Sequence, residues 1–353
     1  MQVSLRKIVV LGTGGTIAGW ADNPDKSLSY RAGQRPVADL LRGLPEPVRS
    51  DLHPGLDWDL IREHVISEQV AQRDSKDMDL PTWQTLLQRC AYWLARPEVG
   101  ALVVTHGTDT LEETAYLLHA VLAPAKPLVL TCAMRPANAP DADGPRNLAD
   151  ALQVATNPDA RGVMVVCAGK IHGALDVQKV HPTRLDPFDS GESGPIGELW
   201  GELHGGLSRD VHWLRERSQY EAAESVWSAA EIEVLLSLPA WPRVELVLSH
   251  ALANAAVVDA LADADWAQRH GVAPLRGLVV AATGNGTVHQ ALLPALRRAS
   301  AAGVRIVRST RCALGRVLPQ ADDELEDSQG LSPVKARLAL MLALIREEIA
   351  RAP

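Results

Sequence analysis

Residues 7–19 read Lys-Ile-Val-Val-Leu-Gly-Thr-Gly-Gly-Thr-Ile-Ala-Gly and combine a strand pattern with a glycine-rich turn. The apolar run that follows Lys7 is rich in β-branched residues, which is typical of a strand buried on both faces. Three glycines among residues 12–15 then let the main chain turn sharply and approach a ligand closely. Thr16 follows this turn, so a hydroxyl group is held at the end of a central strand beside main-chain N–H groups. This arrangement suits nucleophilic attack on a carbonyl group.

A glycine-rich turn after a strand more often binds phosphate than carries a nucleophile. The dinucleotide-binding pattern, however, needs a third glycine where Ile17 stands, and no Gly-Lys-Ser or Gly-Lys-Thr follows. Both phosphate-binding patterns are therefore missing. Taken alone, the segment is also compatible with a purely structural turn.

A second segment of the same kind covers residues 101–114, Ala-Leu-Val-Val-Thr-His-Gly-Thr-Asp-Thr-Leu-Glu-Glu-Thr. An apolar run again ends in a turn of small residues, and an amphipathic helix pattern follows. Asp109 or Thr110 is expected to cap that helix, as these residue types commonly do before Glu-Glu. Two turns with hydroxyl groups at strand ends of one sheet would converge on one crevice.

The composition bounds the class of protein. Of 353 residues, 46% are hydrophobic and 22% charged, which is typical of a globular protein of about two domains. The net charge of −8 is spread without runs, which argues against nucleic acid as the main partner. The longest apolar stretches are too short for a membrane span. No small-residue cleavage site follows the apolar run after Arg6-Lys7, so we expect a cytoplasmic protein with no membrane partner.

Cysteine and histidine spacing predicts no metal site. The four cysteines are widely spaced in helix-like or strand-like surroundings, which predicts buried free thiols: Cys90, Cys132, Cys167 and Cys312. The eleven histidines include no His-x-x-x-His pair, so we expect no metal.

Strand and helix patterns alternate from residue 64 to residue 167, which predicts a parallel sheet covered by helices on both faces. A smaller βα pattern covers residues 244–309, and an amphipathic pattern predicts a terminal helix over Val334–Ala350. We therefore predict an α/β protein with a large parallel-sheet N-terminal domain over residues 1–216. A linker over 217–240 and a smaller α/β C-terminal domain over 241–353 would follow.

The two long segments carry a resemblance to a known family. The chain resembles the bacterial L-asparaginase/glutaminase family, whose two signatures match residues 13–19 and 105–114. The resemblance continues in family order through four shorter motifs: Ser75-Lys76-Asp77-Met78, Ala133-Met134-Arg135-Pro136, Ala142-Asp143-Gly144-Pro145 and Gly284-Asn285-Gly286. It thus spans nearly the whole chain.

The resemblance implies catalytic roles for five residues. Thr16 would attack the side-chain amide of L-asparagine, and Tyr30, on a lid loop, would take the threonine proton. Thr108, Asp109 and Lys179, which matches a buried lysine of the family, would activate water or relay protons. The products would be L-aspartate and ammonia, formed through an acyl-enzyme and without a cofactor. Which threonine attacks first, and whether water attacks directly, stay open.

Substrate binding is implied in the same way. The Ser75 loop would hold the substrate carboxylate, Asp109 would hold its ammonium group, and main-chain N–H groups near Gly15 and Thr108 would stabilise the oxyanion. The implied substrate-binding residues are Gly15, Ser75, Lys76, Thr108, Asp109, Ala133, Asn285 and Glu324.

The resemblance also implies a homotetramer built from intimate dimers, with sites at the dimer interface. Asn285 and an acidic residue would complete the site of the partner subunit. Asp322, Asp323 and Glu324 all qualify as that acid, and Glu324 is preferred.

One position departs from the family pattern. Lys76 stands where well-studied members carry glutamine, and its charge close to a zwitterionic substrate puts glutaminase activity in question. The alternatives are a glutaminase-asparaginase of broad specificity and a non-catalytic amino-acid-binding homologue. A threonine hydrolase made by self-cleavage at a Gly-Thr bond is a further competitor.

Overall fold

The structure is a computed structural model that describes residues 6–25, 29–44, 63–201, 210–216, 227–321 and 323–351. The chain divides into two compact units, residues 1–227 and 228–353. Among the described residues, no helix is both long and apolar enough to cross a membrane.

The first unit alternates strands and helices over its first half and adds short strands afterwards. Its elements are β1 (Lys7–Gly14), α1 (Val37–Arg42), β2 (Val65–Arg73), α2 (Leu80–Leu94), β3 (Val99–Thr105), α3 (Leu111–Leu122), β4 (Leu128–Thr131), α4 (Gly144–Thr156), β5 (Val163–Cys167), β6 (Lys170–Gly173), β7 (Gln178–Lys179), β8 (Phe188–Asp189), β9 (Gly197–Trp200) and β10 (Asp210–Trp213).

Eight of these strands form one sheet in the order β10-β9-β6-β5-β4-β3-β1-β2. The five strands from β2 to β5 in this order are parallel, which confirms the predicted parallel sheet. The strands β6, β9 and β10 are antiparallel, so the sheet is mixed at that side. These three strands lie beyond the residues whose alternating pattern predicted the parallel sheet, and at four residues each they are too short to show a periodic pattern of their own.

The central strands are buried on both faces, which explains why their sequences are unbroken apolar runs. Residues 8–14 of β1 and all residues of β4 and β5 are buried, as expected for parallel strands covered on both faces. One core joins Val10, Val103 and Val129 of three neighbouring strands to Leu148 and Leu152 of α4. The turns that follow β1, β3 and β4 therefore lie side by side at the C-terminal edge of a rigid sheet.

The second unit is a smaller α/β domain, as predicted. Its elements are α5 (Ala229–Ser237), β11 (Arg243–Leu248), α6 (Ala256–Ala262), α7 (Ala264–Arg269), β12 (Leu275–Ala282), α8 (Leu293–Ala301), β13 (Arg305–Thr310), β14 (Glu326–Asp327) and α9 (Pro333–Arg351). The four strands are parallel in the order β11-β12-β13-β14. Helix α5 occupies part of the range 217–240 predicted as linker, and its start is specified by a capping box of Ser228 and Glu231.

The four cysteines are free, but not all are buried. Cys90, Cys132 and Cys167 are buried as predicted, whereas Cys312 is exposed. The expectation was wrong for Cys312 because it lies after the end of β13 rather than within a strand.

Candidate active site

The turns after β1 and β3 touch main chain to main chain. Gly15 has a φ of 77°, and a Cβ atom built on it would lie 2.4 Å from Cα of Gly107. A Cβ atom on Gly107 would in turn lie 2.5 Å from Oγ of Ser75. Glycine is therefore required at both positions: the main chains of Gly15 and Gly107 meet directly, and the Ser75 side chain packs against Gly107.

Thr16 follows this contact and is paired with Tyr30. The threonine is buried, and its Oγ1 lies 2.6 Å from Oη of Tyr30, with either oxygen able to donate. Tyr30 is held by the segment in which Trp20 and Arg31 form an antiparallel bridge. Burial raises the pKa of the Tyr30 phenol, while its hydrogen bond to Thr16 opposes the rise. The phenol is therefore protonated at neutral pH.

The turn after β3 brings Thr108 and Asp109 to Lys179 of β7. The ammonium group of Lys179 donates to Oγ1 of Thr108 at 2.9 Å and to Oδ1 of Asp109 at 2.6 Å. The lysine side chain is 16% exposed and that of Asp109 is 51% exposed, so the lysine is largely but not fully buried. A hydroxyl, an ammonium and a carboxylate thus form one connected group.

Ser75 connects its own turn to this group. Its Oγ accepts a hydrogen bond from N–H of Asp109 at 3.2 Å, and its carbonyl oxygen accepts from Oγ1 of Thr110 at 2.8 Å. The expected cap by Asp109 or Thr110 was wrong: Thr110 stands at the cap position of α3 but makes no capping hydrogen bond. Its hydroxyl is used instead to hold the Ser75 turn.

Lys76 projects from that turn and is 60% exposed. Its Nζ lies 2.9 Å from Oδ2 of Asp74 and 2.7 Å from Oδ2 of Asp77. These two carboxylates, Asp77 first, raise the pKa of the Lys76 ammonium. The charge that departs from the family pattern is therefore compensated within its own turn.

Ala133, which follows β4, is fully buried, and the main chain around it is fixed on both sides. Asn147 of α4 donates through Nδ2 to the carbonyl oxygen of Cys132 at 3.0 Å. The carboxylate of Asp143 accepts from N–H of Met134 at 2.9 Å and of Arg135 at 2.9 Å. Burial raises the pKa of Asp143, although these N–H groups oppose the rise.

Among the main-chain N–H groups near Gly15, that of Gly15 itself already has a hydrogen-bond partner. The N–H of Gly15 donates to the carbonyl oxygen of Arg73 at 2.7 Å, which completes the link between the ends of β1 and β2. Gly15 therefore shapes the site through its missing side chain rather than through its N–H.

His106 is a supporting residue that sequence reasoning missed. It is fully buried, with Nδ1 at 2.8 Å from the carbonyl oxygen of Gly107 and Nε2 at 3.0 Å from Oγ1 of Thr114. A carbonyl oxygen can only accept, so Nδ1 carries the proton and Nε2 accepts from Thr114. Trp83 Nε1 donates to the same Thr114 oxygen at 2.9 Å. The sequence feature that could have revealed His106 is its position directly after the end of β3 and directly before Gly107.

The other predicted residues lie in the second unit. Both ends of the Asn285 side-chain amide bind one residue, with Nδ2 donating to the Leu318 carbonyl oxygen at 3.0 Å and Oδ1 accepting from its N–H at 2.7 Å. Glu324 pairs with Arg297 at 2.8 Å. Asp323 pairs with Arg308 and accepts from N–H of Gln320, and these contacts lower its pKa, the latter most. Asp322 lies outside the described residues.

Comparison with known proteins identifies the family. A family model described as Asparaginase, N-terminal matches residues 7–210, and one described as Glutaminase/Asparaginase C-terminal domain matches residues 243–351. The chain belongs to the asparaginase family. It is 33% identical over 347 residues to L-asparaginase 2 of Bacillus subtilis strain 168, which covers 97% of this chain and 83% of that protein.

Two further asparaginase relatives support the assignment. The chain is 32% identical over 355 residues to the glutaminase-asparaginase of Pseudomonas fluorescens biotype A, covering 98% of this chain and 88% of that protein. The crystal structure of the probable cytoplasmic L-asparaginase from Campylobacter jejuni superposes with a TM-score of 0.79 at 31% identity, covering 99% of this chain and 100% of that one.

The contact between Gly15 and Gly107 predicts a specific effect of Gly15→Ala. Both this variant and the control Gly162→Ala place alanine at a positive φ, 77° and 71° respectively, which costs about 1–2 kcal/mol. Only at Gly15 would the new methyl group also collide with main-chain atoms, since nothing lies within 4 Å of a Cβ on Gly162. Gly162→Ala should keep turnover with a modest loss in thermal stability, whereas Gly15→Ala should lose turnover and more stability. If the two variants lost turnover and thermal stability to the same extent, the close contact between Gly15 and Gly107 would be contradicted.

The buried His106 predicts a pH dependence of stability. Burial lowers its pKa to about 4, against about 6.5 in the unfolded chain. As pH falls from 6.5 towards 4 the unfolded chain binds a proton that the folded protein excludes, so the free energy of unfolding falls, by roughly 3 kcal/mol in total. His106→Gln should flatten this slope in denaturant unfolding, while the control Thr114→Val, which keeps the histidine, should preserve it. An unchanged slope in His106→Gln would refute the assignment.

Proposed function

We propose that this protein is an L-asparaginase, an amidohydrolase that converts L-asparagine to L-aspartate and ammonia through the Thr16 hydroxyl. The observation that carries the proposal is the 2.6 Å hydrogen bond between Thr16 and Tyr30, placed beside a second hydroxyl that is bound to an ammonium group. Family membership and relatives named as L-asparaginases support the same activity.

In the acylation step, Thr16 Oγ1 attacks the side-chain amide carbon of the substrate, and the protonated Tyr30 acts as a relay: its Oη takes the proton of Thr16 as it releases its own phenolic proton towards the substrate nitrogen. Because the Gly15 N–H is already bound to Arg73, the oxyanion is stabilised by other N–H groups of the two turns, such as that of Thr108. Each such donor is worth roughly 3–4 kcal/mol in other hydrolases. The proton passes to the leaving nitrogen, ammonia departs, and an ester links Thr16 to the aspartyl group.

In the deacylation step, water attacks this ester. Thr108 Oγ1 takes the proton of the water as its own hydroxyl proton passes to the leaving Thr16 Oγ1. The ammonium of Lys179, which donates to Thr108 Oγ1 and is held by the Asp109 carboxylate, keeps Thr108 in place during this relay. Thr16 regains its proton and L-aspartate is released. The half-exposed Asp109 carboxylate also binds the substrate ammonium, while the Ser75 turn and Ala133 border the substrate.

The larger assembly remains part of the proposal. We expect a homotetramer of intimate dimers in which Asn285 and Glu324 lie close to a partner's site. The Asn285 amide is bound to the main chain of Leu318, which favours a role for Asn285 in shaping the segment around Leu318. We also propose a cytoplasmic location, which the printed name of the Campylobacter jejuni structure supports by analogy.

A second candidate function is a glutaminase-asparaginase of broad specificity, because one relative at 32% identity bears that name. The rates of ammonia release from asparagine and from glutamine, measured side by side, distinguish an L-asparaginase from an enzyme of broad specificity. It also tests the non-catalytic alternative, which predicts binding without ammonia. The self-cleaving alternative predicts two fragments on a denaturing gel, where the proposed function predicts one intact chain.

The assigned nucleophile predicts the outcome of Thr16→Ala. Removal of the hydroxyl should reduce kcat by far more than tenfold, a barrier increase well above ~1.4 kcal/mol, because no acyl-enzyme can form. The control Thr16→Ser keeps a hydroxyl group and should retain measurable turnover. Thermal stability should change little in both variants. A Thr16→Ala enzyme with more than about a tenth of wild-type kcat would rule out the nucleophile assignment.

Lys76 predicts a change in selectivity. We expect asparagine to be strongly preferred over glutamine, and Lys76→Gln to shift the ratio of the two kcat/KM values, since it leaves Asp74 and Asp77 uncompensated next to the Ser75 turn. The control Lys76→Arg keeps the charge and should keep the ratio. A ratio that stays the same in Lys76→Gln would show that this lysine does not influence selectivity.

A further inference from the structure

Lys179 is held by a very small element. Strand β7 has two residues and, in the described part of the chain, pairs with β8 alone, in a two-stranded sheet separate from the eight-stranded one. Yet the ammonium group of Lys179 must stay within hydrogen-bonding distance of Thr108 and Asp109, which follow the central strand β3. A lysine has a long, flexible side chain, so its position depends on how firmly its main chain is held to the large sheet.

Arg135 makes such a link from the turn after β4. Its Nη1 donates to the carbonyl oxygen of Thr183 at 3.1 Å, in the loop of residues 180–187 that joins β7 to β8. Its Nε donates to Oδ2 of Asp141 at 3.1 Å, and its side chain is 17% exposed. One guanidinium thus connects the segment after Ala133 to the loop that begins directly after Lys179.

The loop of residues 180–187 is held together by hydrogen bonds of its own. Val180 N–H donates to the Pro187 carbonyl oxygen at 2.8 Å, which closes the base of the loop. At its apex, Nδ1 of His181 accepts from N–H of Thr183 at 3.2 Å and of Arg184 at 3.0 Å. A second link, from Lys170 to Asp186 at 2.8 Å, fastens the end near β8. The Arg135 link is the one closer in sequence to Lys179.

We propose that Arg135 is a positioning residue that fixes Lys179 against Thr108 and Asp109 by anchoring the 180–187 loop. Arg135 acts only through Lys179 and touches no reacting atom. Because Lys179 belongs to the hydrolase site, this role rests on the proposed function. Its chemical consequence is that the ammonium group stays aligned for proton relay during deacylation.

Arg135→Ala is expected to fold. The main-chain N–H of residue 135 keeps its hydrogen bond to Asp143, which does not involve the side chain. The groups that lose their partner are accessible to water, since Thr183 is exposed and the Asp141 side chain is 58% exposed. A third group, the carbonyl oxygen of Met134, loses the hydrogen bond that Nη1 donates to it at 3.4 Å. Because this bond is long, its loss is expected to cost only a modest amount of stability.

Loss of the link should lower kcat more than it changes KM. Displacement of a catalytic group by about 1 Å can cost about 100-fold in rate, so we expect a fall in kcat of roughly 10- to 100-fold in Arg135→Ala. Arg135→Lys keeps the charge but loses the planar fork and should recover only part of the rate. Asp141→Asn is the matched control, because it alters the other partner of Arg135, leaves the Thr183 link intact and should retain wild-type kcat.

A double-mutant cycle with Lys179→Met separates positioning from a general structural role. If Arg135 acts through Lys179, Arg135→Ala should cause little further loss of kcat in the Lys179→Met background. Added guanidinium ion should restore part of the activity of Arg135→Ala and none of that of Lys179→Met.

The outcomes are distinct. Non-additive losses with partial rescue would support the inference. Unchanged kcat in Arg135→Ala, or full additivity of the two losses, would overturn it while the wild-type protein still hydrolyses asparagine. A wild-type protein without amidase activity would instead overturn the proposed function.

Discussion

The close approach of Gly15 to Gly107 determines how the candidate active site is assembled. Two parallel strands end at the same edge of the sheet, but their turns can meet only because neither position carries a side chain. Thr16 and Thr108 each directly follow one of these glycines. The register of β1 and β3, which places Gly12 opposite Thr105, therefore determines the placement of both hydroxyl groups. The core beneath holds this register.

The charged groups around this contact are held in compensating pairs of unequal exposure. Lys179 is largely buried, whereas its partner Asp109 is half exposed, so the carboxylate stays accessible from solvent while it holds the lysine. The exposed Lys76 is compensated by two aspartates of its own turn, and such surface pairs add little stability. The electrostatic effect of these pairs is therefore local, which suits a small zwitterionic substrate better than a large charged partner.

The features that could be predicted from the sequence are those that depend on a local pattern of residues. The buried strands, the convergence of Thr16 and Thr108 at one edge, and the second α/β unit all follow from apolar runs and small-residue turns. Contacts between distant residues could not be derived in this way. The use of the Thr110 hydroxyl by Ser75, rather than as a helix cap, depends on a neighbour 35 positions away. The antiparallel strands were missed because they are too short to show a periodic pattern.

The most direct test of this account is a crystal structure of the protein with L-aspartate, the proposed product, bound. We predict that the side-chain carboxylate lies within hydrogen-bonding distance of both Thr16 Oγ1 and Thr108 Oγ1, with the Gly15–Gly107 contact unchanged. Aspartate bound elsewhere, or two threonine hydroxyls too far apart to contact one carboxylate, would contradict the account.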